Sequence, residues 1–407
     1  MRFNGDFNIP EGKTHYELNI SFTGNHYNFN YPNTLDTYLQ VSIIPNNWSG
    51  NVDLPNGAKI TSFFGGYSNQ YLMLNGNVNI PNSVTNCADM FSRLDYYNKP
   101  VNIPDSVTQC QGMFQTCRNF NSPVKMSNRV INCHAMFQTS NNFNQPITIP
   151  DTAKNCGYMF AQCHNMNSDV HIGNNVNFAS YMFNNCQNLN SNIFLGSSLV
   201  NCESMFERCG NLEKVSELPL TIYNCSKMFY WDYNFNCPVN IGNNAYNCCN
   251  MFQTCIRLDS PVTIGKNVVD CTNMFRFASG LNSPVTLLSE RANCAYMFYN
   301  CLLFNQPFNI PNNTQAYSMF WGCENLCAQI NIGENCNCMS MFYYCNNFNM
   351  PVYIPESTTD VTAMFATCKN QHCPIFLPQS LFDSVKYQSN VQKLMWDSNA
   401  SNQIVLY

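Results

Sequence analysis

The chain has 407 residues, of which only 11% are charged, and its formal net charge is −5. A typical soluble chain has about 25% charged residues. The acidic balance argues against a nucleic-acid partner, which needs a basic surface. No stretch approaches the roughly 18 consecutive apolar residues of a transmembrane helix, so we expect no membrane insertion.

The N-terminal region is distinct from the rest of the chain. Residues 1–7 contain no apolar segment of the kind that a secretory signal needs. We therefore expect synthesis and folding in a cytosol without a signal peptide. Residues 1–49 lie outside the sequence period that follows, and we expect them to form an N-terminal cap or attachment segment.

A Met-Phe pair recurs along the chain with nearly constant spacing. The steps between successive Met residues are 23 residues nine times, then 22, 22 and 23. Thirteen copies at one period are typical of a solenoid, in which one supersecondary unit stacks on itself. The Met residues, taken as position 0 of each copy, are Met90, Met113, Met136, Met159, Met182, Met205, Met228, Met251, Met274, Met297, Met319, Met341 and Met364.

Cysteine follows the same period. Position −3 is Cys in ten copies and position +4 in nine, which accounts for 19 of the 24 cysteines. Positions −3, 0, +1 and +4 share one face of a helix, so we predict a short helix, or a looser helical turn, with this face buried. Reduced cysteines would act there as small apolar side chains. The alternative is that some cysteines at equal positions of neighbouring copies form disulfides.

The second half of each copy predicts a strand. Position +7 is Phe or Leu in most copies, and the Asn that often follows can satisfy backbone groups at a turn. A frequent Pro at +10 precedes an apolar-polar-apolar run such as Val101-Asn102-Ile103, which has the period of a strand. Positions +11 and +13 should point inward and +12 outward. We expect the array to span residues 50–378, with a C-terminal cap over 379–407.

The repeat unit resembles BspA-type leucine-rich repeats, whose 23-residue unit runs roughly I-P-x-S-V-T-x-I-x-x-x-A-F-x-x-C-x-x-L. The resemblance covers about residues 50–378 and is carried by Ile103-Pro104-Asp105-Ser106-Val107-Thr108-Gln109-Cys110 and Met113-Phe114-Gln115-Thr116-Cys117. The chain departs from the family by Cys in place of Ile, by Met in place of Ala, and by about one residue in the spacing between strand and helix. The M-F-x-x-C segment is also similar to repeats of bacterial surface proteins. The resemblance implies a curved solenoid used for adhesion or surface display.

The period and the resemblance together predict an α/β repeat solenoid. We expect a leucine-rich-repeat-like right-handed coil of about 13–15 repeats of 22–23 residues. A parallel β-sheet should form one face and short helical segments the other.

The sequence offers few groups for chemistry. Cys323, Cys327, Cys336 and Cys338 have a spacing that zinc sites use, but Cys323 and Cys338 belong to the buried ladders, so packing is the favoured interpretation. The six histidines have no recurring carboxylate partner, and we find no catalytic motif. We therefore predict no metal, no cofactor and no catalytic residues, and thus a non-enzymatic protein.

Positions +2 and +3 are the most informative part of the outer surface. They are polar or small in the first six copies, whereas five of the last seven copies carry aromatic residues there. Exposed aromatic residues can stack on a sugar or anchor a protein, and the alternative is that they pack laterally against each other. The predicted ligand-binding residues, here called the aromatic face, are Tyr230, Trp231, Phe277, Tyr299, Trp321, Tyr343 and Tyr344.

These features together favour a recognition or attachment protein. The expected partner is a protein or glycan on a cell surface, with other virion or surface proteins bound through residues 1–49. The predicted location is the surface of a phage virion, in its tail, fibre or head, because a virion protein folds in a cytosol, as we expect of this cysteine-rich chain. The alternative location is the cell surface. The alternatives are a purely structural virion or scaffold protein held by its terminal caps, and an adhesin-like surface protein of a bacterium or microbial eukaryote.

Overall fold

The computed structural model describes residues 76–386 and 404–407, together with the backbone of five short strands between residues 7 and 53. The chain divides into two compact units, Met1–Leu199 and Val200–Tyr407. The copies from Met90 to Met182 belong to the first unit, and the copies from Met205 to Met364 belong to the second.

Short strands of neighbouring copies pair in parallel in the first unit. Equal positions lie opposite each other, so that Val170 pairs with Ile147 on one side and Ile193 on the other. From β6 onward, the first residue of each strand is buried and the second exposed, as predicted for positions +11 and +12. The strands of this unit are β1 (Phe7–Asn8), β2 (Tyr16–Phe22), β3 (Phe29–Asn30), β4 (Leu39–Pro45), β5 (Val52–Asp53), β6 (Val78–Asn79), β7 (Val101–Asn102), β8 (Val124–Lys125), β9 (Ile147–Thr148), β10 (Val170–His171) and β11 (Ile193–Phe194).

The N-terminal residues contain parallel strand pairs of their own. Strand β1 pairs with β3, and β2 pairs with β4 over seven residues. The partners Tyr16 and Leu39 are 23 positions apart, the spacing of the array. Most of residues 1–49 lie outside the described residues, and their role as a cap or attachment segment stays a prediction.

The second unit has the same parallel pairing. Val239, Val262 and Val285 lie side by side in β12, β13 and β14. The strand at the C-terminus pairs with β18, the last strand of the array, and so occupies an edge that would otherwise be unpaired. The elements of this unit are β12 (Val239–Ile241), β13 (Val262–Ile264), β14 (Val285–Leu287), β15 (Phe308–Asn309), β16 (Ile330–Asn331), β17 (Val352–Tyr353), β18 (Ile375–Leu377), α1 (Gln379–Lys386) and β19 (Ile404–Leu406).

The segment around each Met-Phe pair is a series of turns, and the described repeats contain no α-helix there. Even positions close local turns, as where the Met113 N–H donates to the Cys110 carbonyl at 3.2 Å. Odd positions bond the next copy, as where the Phe114 N–H donates to the Met136 carbonyl at 2.7 Å. An α-helix needs each N–H for the carbonyl four residues earlier, so this alternation excludes it. Turns take the place of the short helical segment that the sequence predicts here, and the predicted solenoid fold is confirmed.

Two positions of every Met-Phe copy have a left-handed backbone. Position −1 and position +3 have positive φ throughout, for example 53° at Asp89 and 65° at Arg93. Among all copies, glycine occurs once at each of these positions, as Gly112 at −1 and Gly322 at +3. Each other residue pays a local cost of about 1–2 kcal/mol, which the bonds between copies must offset.

The core is a ladder of identical side chains. Met205 and Phe206 are fully buried, as are their equivalents in the other copies, which confirms the predicted register. The phenylalanine rings stack from copy to copy, as with Phe114 and Phe137 at 5.3 Å between centroids. The ring at +7 joins them, since Phe120 lies 4.5 Å from Phe114. Burial of such rings provides most of the favourable free energy of stacking.

Asparagine ladders account for much of the polar composition. At +8, the Asn121 side-chain oxygen accepts the N–H of Asn144 in the next copy at 2.8 Å, and Asn144 does the same for Asn167. At −4, the Asn132 oxygen accepts the N–H of His134 at 3.1 Å. The predicted role of the +8 asparagines at turns is confirmed. These amides are part of the scaffold, because each satisfies a backbone group that the turns leave open.

Candidate functional site

The structure places the aromatic face on the outer side of the turn segment in the second unit. Trp231, Phe277 and Tyr344, at position +3, are exposed by 38%, 36% and 46%. The four residues at +2 are half-buried, namely Tyr230, Tyr299, Trp321 and Tyr343. The turn segment therefore presents both positions outward while its Met, Phe and Cys side chains face the core.

A first group of rings surrounds Trp231. Tyr230 and Tyr233 lie 5.8 and 6.4 Å from Trp231 between ring centroids. The Arg208 guanidinium lies 5.2 Å from the Trp231 ring and 3.8 Å from a Glu207 carboxylate oxygen. This group combines one cation, one anion and three rings.

A second, larger group runs over four consecutive copies. Trp321 stacks on Tyr343 at 4.0 Å and on Tyr299 at 5.7 Å. Phe277 meets Tyr299 edge-on at 5.7 Å, and Tyr344 meets Tyr343 edge-on at 4.8 Å. The rings are thus continuous from one copy to the next, so the lateral contacts considered from the sequence do occur. The copy between the two groups carries Gln253 and Thr254 at the same positions.

An arginine is embedded in the second group. The Arg276 guanidinium lies 4.9 Å from the Tyr299 ring centroid and 5.0 Å from that of Phe277. Its Nη1 donates to the Asn273 side chain at 3.3 Å, and its buried Nε has no hydrogen-bond partner among the described residues. None of the described carboxylates forms an ion pair with it. Arg276 is therefore a cation that lies among aromatic rings and has no acidic partner in the described part of the chain.

Sequence reasoning missed several members of these groups. Arg208 and Arg276 stand at +3 and +2, where only aromatic residues were considered. Tyr296 lies 5.9 Å from Tyr299, and Tyr317 lies 5.1 Å from Tyr296. They stand at positions −1 and −2, which the sequence pattern assigns to neither the buried face nor the aromatic face, and the turn geometry brings them beside the outer rings. The arginine signal is present in the sequence, because Arg276 directly precedes Phe277 and Arg208 stands one period before Trp231.

The cysteines form a packed interior. The Cys117 thiol donates to the Phe91 carbonyl of the preceding copy at 2.9 Å, and most other cysteines at +4 do the same. Burial raises the pKa of the Cys87 and Cys368 thiols to about 12, so a nucleophilic thiolate is scarce at neutral pH. All 24 cysteines carry free thiols in the structure. The redox state of the protein in its own compartment stays a prediction.

The weaker candidates gain no support. Among the described residues, no group of three or more His, Cys, Asp or Glu side chains is placed to hold a metal ion. Cys327 is exposed, whereas Cys323, Cys336 and Cys338 are buried. His15 and His26 lie outside the described residues. In the described part of the chain, no helix is long and apolar enough to cross a membrane.

The fold defines a class of protein, the leucine-rich-repeat solenoids. A leucine-rich repeat protein from Bacteroides ovatus ATCC 8483 is similar, with a TM-score of 0.52 and 16% identity over 88% of this chain and 94% of that chain. A leucine-rich cell surface protein from Faecalibacterium prausnitzii A2-165 has a TM-score of 0.39 and 15% identity over 79% and 86% of the two chains. The pneumococcal vaccine antigen PcpA has a TM-score of 0.35 and 11% identity over 100% and 91%.

The family follows from the sequence matches. Five overlapping segments match the family described as Mycoplasma protein of unknown function, DUF285, and the chain belongs to this family. The matched segments are residues 73–148, 127–218, 200–308, 223–332 and 292–376. Among curated proteins, none matches the chain.

Proposed function

We propose that the protein is a non-enzymatic recognition protein that attaches to a cell-surface partner through the aromatic face. The observation that carries this proposal is the continuous group of partly exposed rings from Phe277 to Tyr344, with Arg276 embedded in it. Tryptophan, tyrosine and arginine are the residues that dominate the binding energy of protein interfaces.

The backbone supports a role for these rings beyond folding. Trp231, Phe277 and Tyr344 are held at φ of 66°, 62° and 61°. A bulky residue is unfavourable in this conformation, and glycine or asparagine would fit at lower cost. All copies share this conformation at +3, so the large rings stand where smaller residues such as Thr116 and Gly322 fit the same backbone.

The mutual stacking favours a protein partner over a sugar. A sugar ring stacks on a free aromatic face, but Trp321 has Tyr299 and Tyr343 on its two sides in successive copies. What such a stack offers outward is ring edges and one guanidinium. These groups suit an apolar anchor and a carboxylate on a protein surface.

The proposal is tested by the binding of labelled, purified protein to intact bacterial and animal cells. The variant Trp321→Gln with Tyr343→Gln uses the residue that occupies +2 at Gln115, Gln138 and Gln253, so the fold should persist. We expect saturable binding that the double variant loses by at least about tenfold. Protease treatment of the cells should abolish binding, whereas periodate oxidation of their glycans should not.

The matched control is Phe178→Asn, which removes an exposed aromatic residue elsewhere and inserts the residue common at that position. It should bind as the unmodified protein does. Binding that is unchanged in the double variant, with an intact fold by circular dichroism, would contradict the proposal. Loss of binding after periodate but not after protease would replace the protein partner with a glycan.

A place on the surface of a phage particle remains our prediction for the biological setting, with residues 1–49 as the attachment segment. Immunogold electron microscopy with a specific antiserum tests it. Label on particles would support the virion assignment. Label confined to the surface of cells would support the adhesin alternative instead.

A further inference from the structure

A second exposed column of side chains lies five residues before the Met in four consecutive copies of the second unit. Its members are Val200, Tyr223, Tyr246 and Val269, exposed by 37%, 50%, 45% and 36%. The N–H of each of the last three members donates to the carbonyl of the member before it at 2.9 Å. The rings of Tyr223 and Tyr246 stack at 5.2 Å with an angle of 8°. We call these four residues the tyrosine column.

The column stops in the next copy because the chain shifts by one residue. In the copy before, Gly265 directly follows strand β13, and a Cβ at Gly265 would collide with the Gly242 carbonyl oxygen. Leu288 follows strand β14 at the corresponding point of the chain and is an extra residue there. Ser289 then donates to the Val268 carbonyl at 2.6 Å. In another copy Ser127 makes the same bond to Val107, but it stands nine residues before its Met, one position farther than Ser289.

The extra residue is compensated immediately. Ala292 fills the buried position that Val268 fills in the copy before, and Asn293 follows at once. The N–H of Asn293 donates to the Val269 carbonyl at 2.8 Å, so it takes the bond that the next member of the column would make. The copy has no side chain at the column position, although the spacing from Met274 to Met297 is still 23.

The missing side chain leaves an open cleft beside the end of the column. Its volume is about 690 Å³, and Tyr246, Val269 and Leu288 form its apolar part. Sites for small ligands are typically about 300–1,000 Å³. The cleft is therefore large enough for one or two sugar rings.

The rim of the cleft carries charge. Lys266 and Arg291 are cationic and Glu290 is anionic, and none of the three forms an ion pair among the described residues. Only 11% of the chain is charged, and three charged side chains lie together here beside exposed apolar side chains. A ligand with one negative group would be attracted here.

Most backbone N–H groups of the cleft already have hydrogen-bond partners. The Val269 N–H donates to Tyr246, the Leu288 N–H to Ile264, and the Arg291 N–H to the Ser289 hydroxyl. A bound peptide would need free backbone partners for its own N–H and carbonyl groups. A hydroxyl-rich ring needs only side-chain groups, and Asn267, Glu290 and the Tyr246 hydroxyl provide them.

We propose that this cleft binds an acidic sugar residue of a polysaccharide, with the sugar ring against Tyr246 and its carboxylate paired with Lys266 and Arg291. The site uses none of the residues of the aromatic face and goes beyond the function proposed above. One exposed tyrosine, two cations and several hydrogen-bonding side chains are groups suited to recognise a uronic acid.

The test measures binding of the full-length protein to a hyaluronan hexasaccharide by titration calorimetry and saturation-transfer NMR. The matched ligand is the same hexasaccharide with its carboxylates reduced to alcohols. We expect binding of the acidic form at least about tenfold tighter than that of the reduced form, with transfer to the sugar ring from tyrosine protons. Equal binding of the two forms, or no saturable binding of either at millimolar concentration, would overturn the proposal.

Three variants locate the site. Lys266→Asn with Arg291→Asn should weaken binding at least about tenfold, and so should Tyr246→Thr, which inserts the residue present at Thr85, Thr108 and Thr359. The variant Trp321→Gln with Tyr343→Gln should bind the hexasaccharide normally but should no longer bind cells. The two binding sites can therefore be tested independently. Hexasaccharide binding that survives the Lys266 and Arg291 changes would place the ligand elsewhere and overturn the assignment.

Discussion

The two units carry different ladders on the same turn segment. In the first unit, the Gln115 amide donates to the Gln138 side chain of the next copy at 2.7 Å. In the second unit, Trp321 and Tyr343 hold the equivalent positions and stack at 4.0 Å. One repeat backbone therefore supports either an amide ladder or an aromatic ladder on its outer side.

The core beneath these ladders is the same. Phe114 and Phe137 stack at 5.3 Å in the first unit, as Phe298 and Phe320 do in the second. Because the buried face is the same in both units, the outer positions can vary without loss of the fold. The difference between the units thus separates the residues that fold the protein from those available for recognition.

The largest expected effect tests whether the two cores are equivalent. Phe137→Ala in the first unit and Phe206→Ala in the second each remove a fully buried ring and should each lower the free energy of unfolding by about 3–5 kcal/mol. Urea unfolding followed by hydrogen exchange of the flanking copies measures the loss, since repeat arrays open locally.

The exposed Phe178 provides the control, and Phe178→Ala should change stability by less than about 0.5 kcal/mol. A cost below about 1 kcal/mol for either core variant would show that the unit concerned does not depend on its phenylalanine ladder.

The next effect concerns position +4, where Ser140 in one copy of the first unit corresponds to Asp232 in one copy of the second. Ser140 in the first unit accepts the Cys117 N–H at 3.1 Å and donates to the Phe114 carbonyl at 2.6 Å. Asp232 in the second unit accepts the Cys209 N–H at 2.7 Å, but its buried Oδ2 has no partner among the described residues. Burial raises the pKa of the Asp232 carboxyl well above its usual range.

The sign of the pH dependence follows from that pKa. The unfolded chain releases the proton near the ordinary Asp value of about 3.9, while the folded chain retains it to higher pH. The folded state then binds more protons, so Asp232 lowers stability progressively as pH rises above the ordinary value. Asp232→Ser should raise the free energy of unfolding by about 1–3 kcal/mol at neutral pH and by less in acid.

Urea unfolding at several pH values compares Asp232→Ser with the unmodified protein, and the reciprocal Ser140→Asp should show the opposite trend. A stability difference that does not grow with pH would mean that Asp232 is ionised in the fold.

The repeat period predicted which positions are buried, where the strands lie, and that the aromatic residues at +2 and +3 of successive copies are neighbours. It could do so because equal positions of stacked copies must lie side by side. The left-handed backbone at Thr116 or Trp231 was not predictable, because residues of every type occupy these positions and bonds to the next copy impose the conformation. The cleft at Leu288 also escaped prediction, since one added and one missing residue left the spacing unchanged.

The smallest expected effect distinguishes lateral packing from binding as the reason for the rings. A double-mutant cycle of Trp321→Ala and Tyr343→Ala should give a coupling of about 0.5–1.5 kcal/mol from ring stacking. The same cycle on Gln115 and Gln138, which share one partly buried hydrogen bond, is the matched reference from the first unit. A larger coupling energy for the ring pair than for the glutamine pair would show that ring stacking contributes to stability, whether or not the rings also bind a partner. A ring coupling near zero would contradict that share and leave recognition as the reason why the second unit carries aromatic residues where the first carries amides.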